Sequence, residues 1–307
     1  MATENKTVIQ IFIDSIGIYV KHLPTFLKYM SFPIFGQFVG IILSFALSLG
    51  FAYTIGATMS DATLSFGLTM LLAIPGLILF TKAFWEYLVA YVAIGSMTEN
   101  TIKSGRIYDI KSHKKVATSS KRVGEFITLW LLFGLFTIIS ILPPMWIISA
   151  IIFVFLVLIF QVFTFEKNLS SIECFKRSAH LVKSSFWSTA GLLIIMGVFS
   201  YFLLPKLIEI LLGLLQVIKL LIFMLDPVVS NVFPTEQWNE KLALLNIPYM
   251  ITSLDITKMI LSSAISGLVI SFTLPLRSIC WTLWYKQLSV KEIKSKSKNK
   301  KAKSEDV

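Results

Sequence analysis

Charge is scarce in this chain. Only 15% of its 307 residues are charged, against about 25% in a typical soluble domain. Cysteine and histidine are scarcer still, two and three respectively. Cys174 and Cys280 lie far apart with no CxxC pair, so neither a zinc site nor a disulfide framework is supported. His22, His113 and His180 fall in three separate segments, none beside another metal-ligating residue at metal spacing. No HExxH, GxSxG or P-loop motif occurs. The expectation is therefore a protein without cofactor, metal or catalytic constellation, and not an enzyme.

Apolar residues make up 55% of the chain, with 25 Phe and 7 Trp. The mean hydropathy is +0.77. A soluble fold of this length cannot hide so many large apolar side chains. Yet the net charge is +11. Greasy and basic together point to a polytopic membrane protein with its positive charge gathered on one side.

Apolar stretches long enough for a bilayer core of about 30 Å lie near 31–56, 66–95, 124–142, 145–165, 187–205 and 258–283. Leu142-Pro143-Pro144 makes a tight turn between the third and fourth. Pro75-Gly76 is positioned to bend the long second stretch. The expected fold class is all-α, a polytopic transmembrane bundle of about six spans with amphipathic interfacial helices. Three regions follow: an N-terminal amphipathic helix within 1–29, a six-span domain over 30–285, and a disordered lysine-rich tail over 286–307. The N-terminal apolar stretch from Val8 to Val20 is interrupted by Asp14 and no small-residue cleavage site follows, so a retained N-terminus is expected.

Residues 7–23 place Thr7, Gln10, Asp14, Gly17 and Lys21 on one helical face and a broad apolar face opposite, with Pro24 as the stop. Such a helix lies in the membrane interface or caps the bundle. Residues 206–224 form a further apolar helix with a thin polar stripe. It either extends the fifth span or lies flat at the outer surface. The second is favoured because a seventh crossing breaks the charge pattern. Residues 226–257 read as a polar loop.

That pattern is one-sided. Of 28 basic residues, 22 lie in segments 1–30, 99–123, 166–186 and 286–307. The loops at 57–65 and 143–144 contain none, and 226–257 contains only Lys241. Alternation of this kind puts both termini and the loops 98–123 and 166–186 in the cytoplasm.

Two constellations stand out. Lys82 and Glu86 sit one helical turn apart within the second apolar stretch, and an intramembrane polar pair is a functional hypothesis by default. The second begins at Ser170-Ser171-Ile172-Glu173, whose capping-box spacing starts a helix. Ile172, Phe175, Ala179, Val182 and Phe186 form its apolar face, while Lys176, Arg177, His180 and Lys183 cover the others. Lys176, Arg177 and Lys183 are candidate contacts for anionic lipid headgroups, each contributing about 1 kcal/mol at a membrane surface. The alternative is a connector whose charges only fix orientation. The tail has the same two readings, and without interleaved aromatics for base stacking no nucleic-acid partner is expected.

The stretch from Phe165-Glu166-Lys167 through Ser171-Ile172-Glu173-Cys174-Phe175-Lys176-Arg177-Ser178-Ala179-His180-Leu181-Val182-Lys183 to Phe186-Trp187 resembles a signature of bacterial polytopic proteins. These are the membrane domain of glycerophosphoryl diester phosphodiesterase and the related YciC-like proteins. The closing Pro275-Leu276 and Thr282-Leu283-Trp284-Tyr285-Lys286-Gln287-Leu288 is similar to their end motif. His180 stands where the family has an aromatic, and Lys286-Gln287-Leu288-Ser289 departs from its acidic and arginine positions. The resemblance implies six or so helices and an integral membrane role without assigned activity. The phosphodiesterase barrel is a separate soluble domain in fused members, so its chemistry does not carry over. Three functions follow as expectations: a non-enzymatic membrane-organising scaffold interacting with lipids or other membrane proteins, a transporter or permease component as the alternative, and an intramembrane lipid-acting enzyme as the least supported.

Overall fold

A computed structural model describes residues 6–55, 58–107, 109–246, 248 and 250–305, with side chains described for these except Tyr53 and those from 296 onward. Every regular element among the described residues is helical. This all-α architecture follows from the solvent. In hydrocarbon a backbone satisfies its own hydrogen bonds, and a helix does so within one segment.

Five helical runs are long and apolar enough to cross a membrane: Leu23–Ala52, Ala62–Ser104, Pro143–Phe165, Phe186–Leu214 and Ser253–Ser295. The number rises to seven if each of two bent helix pairs counts as one span. The chain is a multi-pass membrane protein. It divides into two compact units, one comprising the residues to Ile194 with those from Leu274 on, the other Ile195–Thr273.

In the first unit, α1 (Val8–Lys21) opens with a capping box between Thr7 and Gln10. Pro24 sits in the first turn of the next helix, where its missing N–H costs nothing. α1 packs on α14 (Leu274–Glu305), burying Ile11 and Ser15, while Ile9, Ile13 and Val20 stay exposed. It therefore caps the bundle on one face and presents apolar side chains on the other.

α2 (Leu23–Thr54) and α3 (Ala62–Ser104) form the largest helix pairing. Lipid tails are as apolar as leucine, so association in a bilayer depends on close approach rather than on hiding grease. Gly36, Gly40 and Ser44 supply that approach along α2, against Gly76 and Ala83 of α3. A Cβ on Gly40 would lie 2.6 Å from the Phe80 amide nitrogen and 2.8 Å from the Gly76 carbonyl oxygen. Ser44 donates to the Ala73 carbonyl at 3.1 Å. Further along α3, a Cβ on Gly95 would lie 3.1 Å from Thr282 Oγ1 of α14, and Ser278 donates to the Tyr91 carbonyl at 2.7 Å. α3 ends at Gly105, whose φ of 70° makes a left-handed cap.

α4 (Ile110–Thr118) folds against α3. The third expected span is α5 (Val123–Ile139), which is 17 residues, about 26 Å long. It meets α4 at a bend of 78°. The fourth is α6 (Trp146–Leu156) and α7 (Ile159–Phe165), entered through the Pro143–Met145 turn. α8 (Ser171–Lys183) and the start of α9 (Phe186–Gly197) complete this unit with α14.

In the second unit, a π-helical turn at Val198–Leu203 leads into α10 (Leu204–Leu214). It sits just before Pro205, whose ring clashes with an ordinary preceding turn. Residues 206–214 thus continue the helical run of the fifth span, and the flat-lying reading of 206–224 is corrected for this part. The break comes at Gln216, with φ of 60°, before α11 (Val217–Val232). α11 runs through Pro227, and α12 (Thr235–Leu244) follows, so most of the expected polar loop 226–257 is helical. A Thr252–Asp255 capping box starts α13 (Ser253–Phe272), onto which α10 and α11 pack. Thr257 donates to Asp226 at 3.1 Å across that contact.

The expected sixth span falls within the Ser253–Ser295 run, in which Thr273 separates α13 from α14. A difference lies at the tail. Helix α14 runs to Glu305 instead of giving way to disorder at 286. The segment holds no Gly or Pro, and Lys, Glu and Ala are all good helix formers. The last two tail residues, and the side chains of the lysines from Lys296 on, lie outside the described residues.

Replacing Gly40 by Val should lower stability by about 1–3 kcal/mol through overpacking. Gly50, on the same helix with open space around its Cβ position, is the control. Apparent melting temperatures in detergent should fall for Gly40→Val and stay near the parent for Gly50→Val.

Candidate functional site

α8 is fixed at its start, its middle and its end. Ser170 caps it reciprocally with Glu173: the Ser170 backbone N–H donates to Glu173 Oε2 at 2.8 Å, and Ser170 Oγ accepts from the Glu173 N–H at 3.4 Å. The hydrogen bonds from Ser170 hold the Glu173 carboxyl below its ordinary value. Ser171 donates its N–H to Glu125 Oε2 at 2.7 Å and its hydroxyl to the Glu125 carbonyl at 2.8 Å, which ties α8 to the first turn of α5. Ser178 donates to the Phe155 carbonyl of α6 at 2.7 Å.

Arg177 makes the strongest tie. Its Nε donates to both Glu166 oxygens at 2.9 and 3.0 Å, and its two terminal nitrogens reach Glu292 of α14 at 3.1 and 2.7 Å. Tyr285 donates to Glu166 Oε1 at 2.9 Å, and His180 Nε2 lies 3.4 Å from Glu292. Hydrogen bonds to the two carboxylates, Glu292 first, raise the guanidinium further above its already high value. Beside this cluster, Lys286 of α14 donates to Glu99 of α3 and lies 4.1 Å above the Phe165 ring. The ring in turn stacks on Tyr285.

The buried face of α8 is Ser171, Cys174, Ser178, Leu181 and Val182. Burial pushes the Cys174 thiol up to about 12, so it is an inert packing residue. The expected apolar face is therefore rotated. Ile172 is 61% exposed, and small polar residues take the inside, where hydroxyls reach neighbouring carbonyls.

Ile172, Lys176, Lys183 and Trp187 are all exposed, Trp187 to 83%. Ile172, Lys176 and Lys183 follow one another at helical spacings of four and seven, so they share one outward stripe of α8, while Trp187 lies beyond the turn at 184–185, in the first turn of α9. Two cations flanked by a branched aliphatic and an indole suit a bilayer surface, where charge meets phosphate and the apolar groups enter the acyl boundary.

The sequence-level site residues thus separate. Lys176 and Lys183 lie on the outward stripe. Arg177 is engaged by two carboxylates and is a structural clamp. Lys82 and Glu86 do not pair among the described residues: Glu86 is bonded by Lys114 of α4, and Lys82 lies 5.8 Å from the centre of the Phe32 ring of α2. The reason is that α4 folds back onto α3, while Lys before Glu is the weaker helical order. With Glu86 so engaged, the transporter alternative loses the intramembrane pair on which it leaned.

Sequence reasoning missed Glu166, Tyr285 and Glu292. The signal was a lone acid, Glu292, among the first tail lysines. It also missed Arg122, whose guanidinium lies 3.9 Å above the Phe163 ring and donates to the Phe163 carbonyl. Among the described residues no three His, Cys, Asp or Glu gather as a metal site.

Comparison with known proteins adds no relative: no family model, no curated protein and no solved structure matches the chain.

Arg177→Lys should destabilise the protein by about 1–3 kcal/mol, because an ammonium cannot bridge two carboxylates bidentately. Its melting temperature in detergent should drop, while Lys176→Gln should not move it.

Proposed function

We propose that this chain is a non-enzymatic integral protein of a bacterial cytoplasmic membrane, with both termini cytoplasmic. Its cytoplasmic face binds anionic lipid, and through this it organises lipids or neighbouring membrane proteins. The observation that carries the reading is the outward stripe of α8, on which Lys176 and Lys183 follow Ile172, with Trp187 exposed at the start of α9. The one-sided charge supports it, as does the resemblance to the membrane domain of glycerophosphoryl diester phosphodiesterase and the YciC-like proteins. That resemblance implies an integral membrane role and nothing about catalysis.

The physics is additive and salt-dependent. Two lysines at an anionic surface contribute about 1 kcal/mol each, screened over a Debye length of about 8 Å at physiological salt. The test is retention of phosphatidylglycerol over phosphatidylcholine by protein purified in detergent. Lys176→Gln with Lys183→Gln should weaken that preference, by up to roughly thirtyfold at low salt. An unchanged preference sinks the reading. A reporter fused after Val307 should be active only in its cytoplasmic form, and an exported signal there overturns the orientation.

A further inference from the structure

A cavity of about 360 Å³ opens where the start of α1, the start of α9 and the middle of α14 come together. Its polar lining includes Lys6, Ser185, Ser188, Gln287 and Lys291, with the Trp284 ring among its walls. The volume falls in the range of small-ligand sites.

The polar groups are held in place from behind. Gln287 donates to the Lys6 carbonyl at 2.8 Å, which fastens the chain before α1 onto α14. Trp284 donates its indole N–H to Thr189 at 3.0 Å, fixing α14 against α9. Lys291 lies 3.4 Å from Ser185 Oγ, and among the described residues no carboxylate lies within ion-pairing distance of it. Lys6 is paired with Asp14 at 2.6 Å. Asp14 is the carboxylate beside the cavity, and it offsets Lys6 but not Lys291. Among the described residues the cavity therefore holds one cation without a carboxylate partner, a second cation at its edge and two serine hydroxyls. That donor set matches the oxygens of a phosphate group.

We propose that this cavity binds a single phosphate group, carried either by an anionic phospholipid or by a free phosphate ester. Lys291 supplies the charge, and Ser185 and Ser188 the neutral donors. Trp284 and the apolar wall beside it favour a ligand with a glycerol or acyl portion over a bare ion. The proposal rests on the preceding reading in one respect only, the placing of this end of the bundle at the membrane surface. The cavity is separate from the α8 stripe, and neither Lys176 nor Lys183 lines it.

Native mass spectrometry of the full chain in detergent tests it, with phosphatidylglycerol, phosphatidylcholine, glycerol 3-phosphate and inorganic phosphate as separate probes. One adduct per chain is expected with phosphatidylglycerol. Lys291→Gln should cut its occupancy about tenfold, the loss of one charge-assisted hydrogen bond, and Ser188→Ala several-fold. Lys294→Gln, which removes the same charge outside the cavity, should leave it unchanged. Equal losses in Lys291→Gln and Lys294→Gln, or no loss in Lys291→Gln, overturn the proposal. Competition by glycerol 3-phosphate or inorganic phosphate identifies a soluble ligand, and no competition identifies the lipid. Lys176→Gln with Lys183→Gln should spare this adduct even where it abolishes surface preference, so the two readings fail separately.

Discussion

Arg177 is the interaction on which the first unit's basic end depends. A guanidinium presents five donors in a fixed plane, and here four of its contacts go to two carboxylates on different parts of the chain, Glu166 before α8 and Glu292 on α14. Removing either acid leaves a half-buried cation short of partners, which costs more than the pair gained by forming. The clamp sets the rotation of α8 about its own axis. It thereby turns Ser171, Cys174 and Ser178 inward and leaves Ile172, Lys176 and Lys183 outside. It also holds α14 beside α8 near the point where Lys291 meets Ser185.

A wider consequence concerns charge. The acids at this end of the unit are drawn inward: Glu166 and Glu292 by Arg177, Glu99 by Lys286 and Lys103, Glu86 by Lys114, Glu125 by Ser171. What stays outward is mostly lysine. These pairs withdraw cations and acids together, so the outward face keeps the excess of 28 basic over 17 acidic residues. The bundle itself is held by other means. Glycines let α2 and α3 approach to backbone contact, and serine hydroxyls bond carbonyls across the seams. These are the forces left when lipid removes the hydrophobic drive between helices.

Much of the fold was legible in the sequence, because the bilayer imposes one periodicity and one length. The Ser170 cap, the Pro143-Pro144 turn and the apolar runs all mark real helix limits. Where the reading failed, local and tertiary causes competed. The polar residues of 235–244 were read as loop, although they hold a short helix whose Asn239 brackets the Ile251 backbone at 2.8 and 3.0 Å. The face of α8 was read from hydrophobicity alone. In a membrane bundle a hydroxyl that reaches a carbonyl competes with an isoleucine for the inside, and spacing cannot show which carbonyl is near. Arg177 was read as a lipid contact for the same reason: its partners lie 11 and 115 residues away.

The outward stripe and the cavity differ in kind, and the difference matters for what each can recognise. Lysines on an exposed helix attract any anionic surface, and salt weakens them together. They cannot tell one headgroup from another. A cavity walled by Trp284, with its cation beside Ser185, offers donors in fixed positions to particular oxygens. Such bonds are less screened and depend on the shape of the ligand. On the proposed reading the stripe would set where the protein's basic end meets the bilayer, and the cavity which phosphate it holds there. Both are positioned by α14, whose Glu292 fixes α8 through Arg177 one residue away from the Lys291 that faces the cavity.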